Sequence, residues 1–111
     1  MSMALQELAD RIRGLLPDQR GIVEKKMFGG IAFMLDGNML VCPTREGALI
    51  VRVGKENVTD ALAQAGAETM EMGGRAMSGF VVLAGDAIED DLALAAWLGR
   101  ARAFVSTLPA K

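Results

Sequence analysis

The residues able to do chemistry are few, and their spacing keeps them apart. Histidine, the commonest general base and metal ligand, is absent from all 111 residues. Cys42 is the one thiol. It sits in an apolar run beside Pro43, surroundings that keep a thiol protonated and unreactive. A single cysteine also removes any intramolecular disulfide and the usual thiolate–imidazole zinc set. Thr44 and Ser78 carry hydroxyls with no base placed to activate them. Asp90 and Asp91 are paired carboxylates, but adjacent residues on a helix do not face each other. The pair suits a helix start better than a metal or acid–base site.

Two glycine pairs remain, Gly29-Gly30 and Gly73-Gly74, with Lys25, Lys26 and Arg75 flanking them. Neither fits the Walker pattern, and neither shows the three-glycine dinucleotide fingerprint. Lys25, Lys26 and Arg75 form a small anion site if the two turns meet, and solvated charge beside turn glycines if they do not; a wider small-ligand or anion-binding reading adds Arg52. Of the eight methionines, Met27, Met70, Met72 and Met77 fall near these turns. Thioether side chains serve either as core filler or as an adaptable binding surface. No cofactor is expected.

The elements that must position these residues follow from periodicity. Leu5, Leu8, Ala9, Ile12, Leu15 and Leu16 predict a first helix, capped by Ser2 and ended by Pro17. Residues 22–35 read as a glycine-jointed strand with a bulge or bend at Gly29-Gly30, and Ile31, Phe33 and Leu35 share one face. Asp36-Gly37-Asn38 predicts a tight turn. A return strand over 39–43, a turn at Thr44-Arg45-Glu46-Gly47 and a strand over 48–53 complete a meander. Gly54 then introduces a short helix with the stripe Val58, Ala61, Leu62 and Ala65, and Gly66 suits its C′ position. Strands over 67–72 and 77–83 flank the second glycine turn. A last helix starts at Glu89-Asp90-Asp91, carries a stripe from Leu94 through Trp97 to Leu108, and stops at Pro109. The order α-β-β-β-α-β-β-α predicts an α+β fold, a mostly antiparallel sheet of about five strands with helices packed on it.

The length fits one domain over residues 1–111. Apolar residues make up 51% and aromatic ones only 5%, so the core must be aliphatic and rich in methionine. The second face of the meander is apolar too, at Ala32, Met34, Leu40, Cys42 and Ile50, with only Arg52 interrupting it. Three helices, one of them short, cover one face. A patch around Met34, Leu40 and Ile50 is therefore expected to meet a second copy in a homodimer. Net charge of −2 and a pI near 5.1 argue against tight direct binding to DNA. Met1-Ser2-Met3 with Gln6, Glu7 and Asp10 lacks the form of a signal peptide, and no apolar run reaches membrane length. A cytoplasmic protein with no membrane partner is expected.

Lys26-Met27-Phe28-Gly29-Gly30 with Phe33, then Gly37 and Met39, resembles the opening motif of the TfoX (Sxy) N-terminal domain. Leu49-Ile50-Val51-Arg52-Val53, Gly66, Gly74-Arg75-Ala76-Met77 and the helix around Trp97 follow in the family's order. The resemblance spans nearly the whole chain and implies a bacterial cytoplasmic α/β domain. It also implies a link to competence regulation and DNA uptake, through protein partners in transcription regulation. Regulators of this type carry a second, C-terminal domain, so a stand-alone single-domain member is expected here. The family brings no catalytic residues. The motif and interaction candidates are Lys25, Lys26, Met27, Phe28, Gly29, Gly30, Phe33, Gly37, Arg52, Arg75 and Met77. The leading expectation is a non-enzymatic protein-interaction module. The alternative is a small-ligand or anion-binding domain using the basic residues near the glycine turns.

Overall fold

The computed structural model describes residues 3–16, 20–27, 29–72 and 74–109. The apolar stripe of the first segment folds as helix α1, Met3–Leu15, and buries Leu5, Leu8, Ala9 and Ile12. Six strands follow: β1 (Ile22–Met27), β2 (Gly30–Leu35), β3 (Asn38–Pro43), β4 (Leu49–Arg52), β5 (Ala67–Met72) and β6 (Arg75–Leu83). They form one sheet in the order β1-β2-β3-β4-β6-β5, and each neighbouring pair is antiparallel. Helix α2 (Val58–Leu62) bridges β4 and β5, and helix α3 (Asp91–Val105) follows β6. The fold is α+β, as the element order predicts.

The sixth strand comes from the glycine-jointed segment. Residues 22–35 fold as a hairpin, β1 against β2, in register from Ile22 opposite Leu35 to Met27 opposite Gly30. Gly29 turns the chain at φ 71°. Gly30 has a different reason to be glycine: a Cβ there would lie 1.9 Å from the Pro43 carbonyl oxygen. The expected bend is thus a hairpin turn followed by a close crossing of β3. At the other end, Asp36 and Gly37 both have positive φ, 51° and 87°, the pattern of the two-residue turn whose twist matches its flanking strands.

The bulge lies elsewhere. Met39 stands opposite Met34 and Val41 opposite Phe33, so Leu40 is the extra residue in β3. A bulge breaks strict alternation. Leu40 therefore joins Val41 and Phe33 in the core beneath the helices, 1% exposed. Its expected place on the second face, beside Met34 and Ile50, is taken by Met39.

Two apolar clusters result. The larger joins all three helices to Phe33, Leu35, Leu49, Val51, Val81 and Leu83. The smaller, among the described residues, is built from strands alone: Ala32, Met39, Cys42, Ile50 and Met70, with Met27, Met34, Met77, Phe80 and Val82 packed on them.

Two helix ends differ from expectation. Helix α2 closes at Leu62 with Ala63 as its C-cap, so Gly66 is not at C′ and belongs to the approach to β5. Helix α3 is capped by Asp90, which accepts from the Leu92 N–H at 3.3 Å, and it closes at Val105, before Leu108. The expectations resting on Ser2, Pro17, Phe28 and Gly73 lie outside the described residues, as does that on the side chain of Met72.

Candidate functional site

Strand alternation sends half of each strand toward the helices and half away. The side facing away carries the smaller cluster. Lys25 stands opposite Ala32, Cys42 opposite Ile50, Ile50 opposite Val82, and Val82 opposite Glu68. Phe33 opposite Val41 puts Ala32 beside Cys42. These six residues make one row across all six strands, a lysine at one edge, a glutamate at the other, and four uncharged residues between. Five methionines, Met27, Met34, Met39, Met70 and Met77, surround the row, contributed by five different strands. Met39 and Met70 are buried, while Met27, Met34 and Met77 stay half-buried. Val23, opposite Met34, is 54% exposed at the β1 edge.

Cys42 lies in the middle of this face and is fully buried. Its thiol points to the Met27 and Pro43 carbonyl oxygens, 3.6 and 3.7 Å away. Burial pushes its pKa up to about 11, so the nucleophilic thiolate is scarce at neutral pH. Thr44, the other candidate hydroxyl near this end, is committed to its own turn: its Oγ1 accepts from the Ala48 N–H at 3.2 Å.

The basic candidates scatter. Alternation places Lys25 on the methionine face and Lys26, opposite Ile31, on the helix side. Lys26 and Arg45 line an open cleft of about 740 Å³ floored by Gly29 and Gly30, with Gln6 of α1 on its wall. Arg52 lies against two rings, 5.7 Å from the Phe80 centroid and 5.8 Å from that of Phe104. Arg75 starts β6. The Gly29 turn and the Arg75 turn therefore occupy opposite edges and opposite ends of the sheet. Phe33 is fully buried on the helix side, and Gly37 completes the β2–β3 turn. Met77 joins Met27 and Met34 on the methionine face. Among the described residues no group of three or more His, Cys, Asp or Glu side chains could hold a metal ion. Among the described residues no helix is long and apolar enough to cross a membrane.

Sequence reasoning missed three positioning contacts. Arg11 of α1 donates to the Ile88 and Glu89 carbonyl oxygens and to Asp91, tying α1 to the start of α3. Arg13 of α1 grips Glu24 of β1. Asn38, expected only to shape a turn, is 3% exposed and donates to the Pro109 carbonyl oxygen at 3.1 Å. The partners lie from 11 to 80 residues apart in the chain, and no local pattern announces them.

A family model, described as the TfoX N-terminal domain, matches residues 15–105. No curated protein matches, and no solved structure matches.

Proposed function

The chain belongs to the TfoX N-terminal domain family, and from that membership we propose that it is a non-enzymatic interaction module of the bacterial cytoplasm. It modulates transcription or DNA uptake by docking a protein partner. One observation supports this reading above the rest: the strand-only face, where half-buried Met27, Met34 and Met77 surround an apolar row that, among the described residues, no helix residue joins. Flexible, polarisable thioethers suit a surface that must fit a partner. The protonated Cys42 thiol and the scattered basic residues offer no reacting group to that face.

The test is affinity capture from the native bacterium followed by mass spectrometry, with wild-type chain and Met34→Glu side by side. A reproducible transcription-factor partner that Met34→Glu loses supports the module. Capture that ignores Met34→Glu, or no partner at all, rejects it.

A second reading has its own observation, the cleft shared by Lys26 and Arg45. Two cations at one opening favour a small anion. Calorimetric titration with inorganic phosphate, wild type against Lys26→Ala, tests it. Absence of saturable heat disposes of this reading without touching the first.

A further inference from the structure

We infer that a second copy of this chain covers the methionine face whenever no other partner is docked there, about a two-fold axis parallel to the strands so that Lys25 of each copy meets Glu68 of the other. The inference rests on reading that face as a contact surface.

The row across the sheet carries the geometry. Lys25 lies on edge strand β1 and Glu68 on edge strand β5, and the register puts both at the same level, separated by Ala32, Cys42, Ile50 and Val82. Both charged side chains are exposed, and neither has a hydrogen bond or ion pair among the described residues. Face-to-face pairing of identical surfaces leaves two simple choices of axis. An axis along the strands lays β1 of one copy over β5 of the other, lysine against glutamate on both sides of the apolar centre. An axis across the strands lays β1 over β1 and β5 over β5, lysine edge against lysine edge and glutamate edge against glutamate edge. Like charges brought together across an interface disfavour the second arrangement. The Lys25–Glu68 pairing thus favours the first orientation over the second.

The apolar content and size fit the same occupant. Val23, one of two large hydrophobic residues left well exposed among the described residues, stands on this face beside Met34, where a second sheet would cover it. Six strands spaced about 4.8 Å apart, about five residues deep, present roughly 400 Å² in projection. With side-chain relief, the pair buries on the order of 1,000 Å² in total, the lower bound for a specific dimer. An interface of this size is at the weak end of the range, so its edge charges weigh heavily on the equilibrium.

Light scattering coupled to size-exclusion chromatography, on the whole chain from micromolar to several hundred micromolar, tests this at low salt. The expected mass rises toward twice the 11.8 kDa of the chain. Lys25→Glu and Glu68→Lys each raise the dissociation constant about tenfold, because each creates two like-charge contacts. The double variant carrying both reversals recovers the wild-type constant. A mass near 11.8 kDa throughout overturns the inference. So does a dimer that neither reversal weakens, or a double variant that fails to recover. A monomeric chain that still captures a partner through Met34 removes the self-pairing alone. Loss of that capture is what removes the interaction reading.

Discussion

Arg13 on α1 and Glu24 on β1 face each other through two bonds: Arg13 Nε donates to Glu24 Oε2 at 2.8 Å, and Nη2 donates to Oε1 at 2.7 Å. Asp10 binds the same guanidinium from within the helix, and the Arg13 Cζ lies 5.9 Å from the Phe33 ring centroid. Residues 23–26 of β1 are all exposed. An edge strand with so little burial needs a clamp, and this pair supplies one between the first helix and the first strand.

The hydrogen bond from Arg13 holds the Glu24 carboxyl below its ordinary value of 4.5. A depressed folded value means stabilisation that is present above pH 4.5 and fades as pH falls through the folded value. The side chains are 34% and 36% exposed, so solvent screening limits the gain to about 0.5–1 kcal/mol. Glu24→Gln should lose that amount in urea unfolding at pH 7. The gap to wild type should close in strongly acidic buffer. A gap of constant size across that range would show that the ion pair contributes nothing.

Gly29 and Gly30 should respond differently to the same added methyl. At Gly29 no atom lies within 4 Å of an added Cβ, and the strain comes only from φ 71°. Gly29→Ala should cost about 1 kcal/mol. At Gly30 the added Cβ meets backbone, the Pro43 carbonyl oxygen at 1.9 Å, and neither strand can yield without breaking the ladder. Gly30→Ala should cost at least about 2 kcal/mol. Equal melting temperatures for the two variants would contradict this account.

Cys42 should resist thiol reagents while the chain is folded. With its pKa pushed from 9.0 to about 11, the thiolate fraction at pH 8 falls about a hundredfold, before burial adds its own barrier. The raised value favours the protonated native state. That contribution is complete below pH 9.0 and is lost as pH rises through about 11. Colorimetric thiol titration at pH 8 should be slow in buffer and fast in denaturant. Rapid native labelling would show the site to be open.

Direct binding to duplex DNA should be weak. The chain carries a net charge of −2, and its basic residues are divided between both sheet faces and opposite edges. Gel-shift titration at physiological salt should show no specific complex below about 1 μM. A competitor-resistant shift in that range is the outcome against it.

Much of this fold is legible from local pattern. The stripe from Leu5 to Ile12, the Asp36-Gly37 turn and the acidic start of α3 each state their conformation within a few residues. Strand β1 does not. Its central residues Val23, Glu24, Lys25 and Lys26 are all exposed, so no alternation marks them as a strand separate from β2. The face of Leu40 is equally hidden. Its direction depends on a bulge created by pairing with β2, and a one-residue slip reverses alternation. The methionine face could be anticipated from excess apolar content. The Lys25–Glu68 row could not, because it exists only once five strand registers are known.

A surface assembled from thioethers also has a chemical vulnerability. Met27, Met34 and Met77 are half-buried, while Met39 and Met70 are buried beside them. Oxidants therefore reach three sulfurs first. Each sulfoxide puts a polar, chiral group where a soft apolar one stood, and methionine sulfoxide reductases can reverse it. Oxidation would therefore turn this apolar face polar in proportion to the oxidant load around the protein, with Cys42 shielded beneath it.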